Sequence, residues 1–257
     1  MLTHPLIEKL NDLKFDGMKV ALAEQLQQQD IDQLPFDDRL HLLLDRELTK
    51  RHERRLQQRL SKAKLKHTAC IEQIDFKASR GLSRQLILSL ADCQWIKNHL
   101  NVLLVGATGT GKTYLACALA HKACLEGFTA AYLRLPRLFQ DLTVAKGDGR
   151  YTRFMQQLAK LDVLILDDWG LSPFNADQCR DLLEILDDRH KLRSTIVTSQ
   201  FPIKHWYQTL GEPTLADAIL DRLVHNAHKI QLKGDSLRKE SAADVSEPLE
   251  FDLGVPA

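Results

Sequence analysis

The stretch "NVLLVGATGTGKTYLACALA", Asn101 to Ala120, constrains the fold more than any other part of the chain. An apolar run, a loop of small residues and a helix-forming run follow one another without a break. The loop carries Gly106-x-x-x-x-Gly111-Lys112-Thr113, the pattern by which a strand passes into a helix through a phosphate-cradling turn. Each part has a physical task. The small residues Gly106, Ala107, Thr108, Gly109, Thr110 and Gly111 let backbone N–H groups curl around phosphate oxygens, and the following helix turns its positive N-terminus toward them. Lys112 supplies a point charge to the outer phosphates, and Thr113 offers a hydroxyl to a magnesium ion. A glycine-rich turn before an ordinary helix is the bland alternative. The strand before the loop and the helix after it argue against that alternative, so a nucleotide site and an α/β core are expected.

A second stretch, "LDVLILDDWG", reads as a strand buried on both faces that stops on Asp167 and Asp168. An unpaired buried carboxylate is costly, so a cation belongs beside it. In P-loop proteins an acid at the end of a second buried strand completes the magnesium shell, which assigns Asp167 to the metal. Asp168 is then the candidate general base or water-orienting group, and Trp169 is expected to pack beneath the site. One more strand, "TAAYLRL", with its crossover helices, separates the P-loop from this acid-ended strand. That insertion favours the additional-strand type of P-loop ATPase over nucleotide kinases. The strand "STIVTSQ" ends on Ser199 and Gln200, which are either loop residues or a sensor reaching the γ-phosphate or the attacking water.

Strands alternate with helices from about residue 83, which predicts a central parallel sheet flanked by helices. Residues 1–67 read instead as a small all-helical domain, residues 68–234 as the ATP-binding domain, and residues 235–257, rich in Ser, Glu and Pro, as a disordered tail. "HPLIEKLNDLKFDGMKVALAEQLQQQD" and "SRQLILSLADCQWIKNHL" both read as helical. The net charge of +1 conceals an asymmetry: nine Lys or Arg fall between Arg46 and Lys66, opposed only by Glu47 and Glu53. Lys50, Arg51, Arg54, Arg55, Arg59 and Lys62 either form a solvated helix face or track the phosphates of duplex DNA. The five cysteines form no C-x-x-C pair, and no apolar run reaches the ~18 residues of a membrane span. With no signal-peptide pattern at the start, a reducing, cytoplasmic setting without disulfides is expected.

Taken together, "GATGTGKTYLACALAHKAC", "DVLILDDWGLSPF", "STIVTSQFPIKHWY" and "ADAILDRLVHNAHKIQLKGDSLRK" resemble the AAA+ ATPases. The resemblance is closest to the branch of DnaC-type helicase loaders and IstB-type transposition helpers, and "DDWG" and the "RG" that opens "RGLSRQLILSLADCQWI" look like the latter. It implies ATP and Mg2+ as ligands, Gly106–Thr113 as Walker A, Asp167–Asp168 as Walker B and Gln200 or Ser199 as first sensor. It also implies Arg222 as the arginine finger offered to a neighbour in a ring or spiral homo-oligomer, and Arg238 as a second-sensor arginine. The implied task is to assemble on duplex DNA and select or remodel a target for a partner transposase, with no membrane involved. A helicase loader, a nucleotide-gated scaffold with little hydrolysis and a small-molecule kinase are the competing readings. Asp168 stands where the family pattern has glutamate, one methylene longer, which implies slow hydrolysis triggered by the partner.

Overall fold

The computed structural model describes residues 5–76, 81–234 and 236. By its internal contacts the chain divides into two units, Met1–Ser61 and Lys62–Ala257. The division falls inside a helix, six residues before the boundary expected from composition. The last two residues of that helix, Lys62 and Ala63, belong to the larger unit, where Ala63 is fully buried.

The smaller unit is helical. α1 (Pro5–Asp12) and α2 (Asp16–Gln25) carry the helical periodicity of this stretch and are separated at Lys14, which adopts a left-handed conformation. α3 (Phe36–Ala63) follows, with Asp37 and Asp38 in its first turn, where the helix dipole favours negative charge. Gly17 lets α2 lie directly on α3: a Cβ there would stand 2.6 Å from the Arg46 carbonyl oxygen. Glu47, 7% exposed, accepts from the backbone N–H groups of Gly17 (2.7 Å) and Met18 (3.2 Å) and pairs with Arg51. One buried carboxylate thus serves the unpaired donors at the start of α2.

The larger unit is a five-stranded parallel sheet with flanking helices. β1 (Asn101–Val105) leads through the P-loop into α6 (Lys112–Leu125), β2 is Ala130–Arg134, β3 is Val163–Trp169, β4 is Ser194–Ser199 and β5 is Ala227–Gln231. The order is β2-β3-β4-β1-β5, with parallel pairing throughout. An additional strand does separate β1 from the acid-ended β3, but it is β4. β2, which intervenes in sequence, lies at the sheet edge.

β1 is buried along its whole length and β3 is buried except at Asp168, as expected for strands covered on both faces. Ahead of β1, the segment read as a single helix breaks into α4 (Arg84–Ala91) and α5 (Gln94–Lys97) at Cys93, another non-glycine residue with positive φ. α7 (Leu135–Gly147) and α8 (Tyr151–Lys160) connect β2 to β3, and α9 (Ala176–Arg189) connects β3 to β4. α9 starts on a reciprocal capping box between Asn175 and Gln178. At its other end Arg189 is buried and donates to the carbonyls of Leu158, Leu161 and Ser194. Burial pushes its guanidinium down to about 9. α10 (Trp206–Leu210) and α11 (Pro213–Val224) complete the unit.

Four of the five thiols are buried, Cys70 is half-buried, and all are free. Among the described residues no helix is long and apolar enough to cross a membrane.

Candidate functional site

The P-loop leaves the C-terminal end of β1, and its glycines are required by what lies over them. A Cβ on Gly106 would stand 2.5 Å from the Leu232 carbonyl oxygen, and one on Gly109, at φ +84, would stand 2.0 Å from the Ser236 hydroxyl oxygen. The chain beyond β5 therefore passes over the loop. Thr110, 1% exposed, closes the loop from inside by donating to the Ala107 carbonyl at 2.8 Å. Lys112, at the start of α6, donates to the carbonyls of Gly106 (2.7 Å) and Ala107 (2.8 Å). Its ammonium is thus held in the mouth of the loop.

Asp167 lies across from it at the end of β3, 1% exposed. It is ringed by hydroxyl donors: Thr113 at 3.0 Å, Tyr132 from β2 and Thr198 from β4. Burial, reinforced by the bond to Asp167, raises the Tyr132 hydroxyl above the ordinary tyrosine range, so it remains a neutral donor. Three polar donors satisfy the carboxylate in the protein itself. Magnesium favours one or two carboxylates supplemented by phosphate oxygens and water. The touching pair Thr113 and Asp167 fits that donor set, and no cluster of three or more His, Cys, Asp or Glu offers an alternative among the described residues.

Asp168 departs from the strand. Its φ is +66, and the β3–β4 register shifts between Leu166 and Trp169. This bulge turns its carboxylate away from Asp167 and toward β2, where Arg134 Nε donates to it at 2.7 Å. The parallel register brings Arg134 level with Asp167, so a cation at the sheet edge holds the candidate base. Trp169 is 1% exposed and packs on Trp206 and Phe174 with ring centroids 4.9 and 5.4 Å away. It sits in the core beneath the site.

The two candidates at the end of β4 separate. Gln200 reaches the P-loop and accepts from Thr108 Oγ1 at 2.8 Å. Ser199 is buried and donates to the Trp169 carbonyl at 3.0 Å, spanning the bulge. Its hydroxyl holds the strands together and does not face the P-loop.

Arg222 does not join this constellation. It lies in the last turn of α11, whose carbonyls at Arg222 and Leu223 accept from the Asn101 side chain at the first residue of β1. The P-loop begins at the other end of that strand. Within one protomer the two are separated by the length of the sheet. Arg238 falls outside the described residues.

On α3, Arg51, Arg55, Arg59 and Lys62 share one helical stripe, with Lys50 and Arg54 beside it. Arg51 is engaged by Glu47 and lies over the Phe15 ring at 5.0 Å, and Lys50 pairs with Glu53.

Sequence reasoning missed a hollow of about 190 Å³ beside Gly111, lined by Ile74, Asp75, Leu82, Tyr114 and Leu232 among others. It lies next to the phosphate loop, and its lining is largely apolar. The apolar Leu82 and the Tyr114 that follows Walker A were the available signals. Tyr132, Thr198 and Arg134 were also missed, since only strand pairing brings them to the two aspartates.

Residues 8–244 match the family described as IstB-like ATP binding protein. A protein of Sinorhizobium fredii, whose name describes it as an insertion sequence ATP-binding protein, is 49% identical over 93% of this chain and 98% of its own length. A Pseudomonas aeruginosa protein named for ATP binding in the insertion sequence IS21 is 34% identical over 91% of this chain and 89% of its own. Among solved structures, DnaI superposes with a TM-score of 0.57 at 24% identity, covering 65% of this chain and 92% of that one, which is a likeness of fold.

Proposed function

The chain belongs to the IstB-like ATP-binding protein family, and from that premise we propose that it is a Mg2+-dependent ATPase that assembles on duplex DNA and presents a target to a partner transposase. One observation carries the hydrolytic part: the Thr113 hydroxyl meets the Asp167 carboxylate at the mouth of a lysine-bearing phosphate loop, with Gln200 touching that loop from the neighbouring strand. Lys112 and the loop N–H groups bind the phosphates, while Thr113 and Asp167 hold the ion. The ion, when bound, neutralises charge developing on the phosphoryl oxygens. Gln200 orients the attacking water, and Asp168 accepts its proton once released from Arg134.

That last condition makes turnover slow in the unassisted protein. The Arg134–Asp168 pair is half-exposed on the arginine side, and such a pair is worth up to ~1 kcal/mol. Arg134→Ala is therefore expected to raise unstimulated phosphate release by up to about fivefold. Turnover equal to or below wild type in a steady-state assay would count against Arg134 as a restraint on the base.

The basic stripe of α3 supplies the DNA contact in this reading. Arg54 and Arg55 are exposed, and each cation that neutralises a phosphate contributes about 0.9 to the slope of log affinity against log salt. The double variant Arg54→Gln/Arg55→Gln is expected to flatten that slope by about two while leaving ATP affinity unchanged. An unaltered slope would move the DNA contact off this stripe.

The reading as a whole is tested by imaging the purified protein on long duplex DNA with a non-hydrolysable ATP analogue, without any helicase. Ordered multi-subunit assemblies that require the nucleotide are expected. Their absence would remove the DNA-assembly part of the proposal.

A further inference from the structure

We propose that Asp187 is a positioning residue that orients Arg222 for the nucleotide bound by a second copy of the chain. This rests on the reading above, in which the protein hydrolyses ATP as an oligomer and Arg222 is the residue offered between subunits.

The observations concern how an exposed arginine is held. Its backbone is fixed: Asn101, 8% exposed, donates from Nδ2 to the carbonyls of Arg222 (3.0 Å) and Leu223 (3.3 Å), and its Oδ1 accepts from Thr195 N. The end of α11 is thereby tied to β1 and β4. The guanidinium is fixed from two sides as well. Nε donates to the Asp187 carboxylate on the last turn of α9, and Nη1 donates to the Ala218 carbonyl at 2.8 Å. Among the described residues nothing accepts from Nη2, and the side chain is 28% exposed. Two of the three nitrogens are used to set the guanidinium plane, and the third remains for an outside acceptor.

The setting explains why an acid is needed. Arg189, Lys191 and Arg193 line the same small hollow as Arg222. Without Asp187 these like charges repel the guanidinium, and a long side chain released into solvent recovers ~2 kcal/mol of rotamer freedom that must be surrendered again on meeting a phosphate. An arginine already held in one plane surrenders less, and small misplacements of a catalytic group cost ~10²-fold in rate. Asp187 carries no chemistry of its own: it makes no contact with the P-loop end of its own sheet.

The test uses the full chain assembled on duplex DNA at saturating ATP. Asp187→Ala is expected to lower kcat about tenfold with nucleotide affinity unchanged, and Asp187→Asn, which keeps the volume, to fall between that and wild type. In an Arg222→Ala background the same substitutions are expected to have no further effect. Mixing Asp187→Ala subunits with Asp168→Asn subunits, which keep Lys112, Thr113 and Asp167 for nucleotide binding but lack the candidate base, is expected to recover turnover, since the former keep a working hydrolytic site and the latter keep an oriented arginine.

A loss that persists undiminished in the Arg222→Ala background, or a mixture that shows no recovery, overturns the role of Asp187. So does a wild-type kcat in Asp187→Ala when Arg222→Ala is severely impaired. If Arg222→Ala itself turns over normally, the reading of Arg222 fails first, which separates that failure from this one. Should Asp187→Ala melt at a lower temperature, Asp187→Asn is read in the same cycle.

Discussion

Asp167→Asn is expected to reduce ATP hydrolysis by ~10³-fold or more, the equivalent of losing about 4 kcal/mol of metal-borne charge stabilisation. The magnitude follows from what the carboxylate does in this site. It is the acid that meets Thr113, and no neighbouring His, Cys, Asp or Glu forms a replacement cluster among the described residues. Asparagine keeps the shape: its Oδ1 can accept from Thr113 and Thr198 while its Nδ2 donates to Tyr132, because hydroxyls rotate to suit either partner. The same substitution removes a charge from a position only 1% exposed, where burying an ionised group is expensive. In magnesium-free buffer the variant should therefore melt at or above the wild-type temperature. Calorimetry beside a Mg2+-dependent phosphate-release assay reads both effects. Hydrolysis within tenfold of wild type would show that Asp167 is not the metal ligand.

Lys112→Met is expected to weaken ATP binding by more than about 100-fold, since a charge-assisted hydrogen bond contributes ~1.5–3 kcal/mol and the ammonium serves more than one phosphate oxygen. Methionine replaces all but the ammonium end of a side chain that is 8% exposed, so packing is disturbed little. The Lys112 bonds to the carbonyls of Gly106 and Ala107 are lost as well. The phosphate loop should become less protected in amide exchange even without nucleotide. Titration with a fluorescent ATP analogue measures the affinity. Near-normal binding would place the phosphates elsewhere.

What the sequence disclosed is what its local chemistry determines. Gly106 to Thr113 is a contiguous set whose spacing is imposed by the phosphate it must surround, and Asp167 ends an apolar run that only a two-sided core explains. Residues contributed by separate strands were hidden. Tyr132, Arg134 and Thr198 carry no signal in their own segments. They matter because β2 and β4 flank β3 in one particular register, so that Arg134 stands level with Asp167.

The end of β4 shows the same limit at single-residue scale. Gln200 and, beside it, Ser199 are both candidates by sequence; the bulge in β3 claims the serine hydroxyl for the Trp169 carbonyl. The helix interruptions at Lys14 and Cys93 were illegible for a different reason: both are non-glycine residues in a left-handed conformation, which surrounding structure imposes and local propensity opposes.

The phosphate cradle and Arg222 occupy opposite ends of one strand, β1. On the proposed reading, in which Arg222 serves a neighbour's nucleotide, each protomer is a connector with a socket at one end and a plug at the other, and such head-to-tail contacts generate either rings or open helices. In an open helix the number of complete hydrolytic centres is one fewer than the number of subunits, and the subunit at one end keeps a filled socket that nothing plugs. Loss of ATP from such a filament would proceed in its interior, while the terminal nucleotide would persist. The specific activity per subunit should therefore climb with filament length, and the two ends should differ in how long they retain their triphosphate.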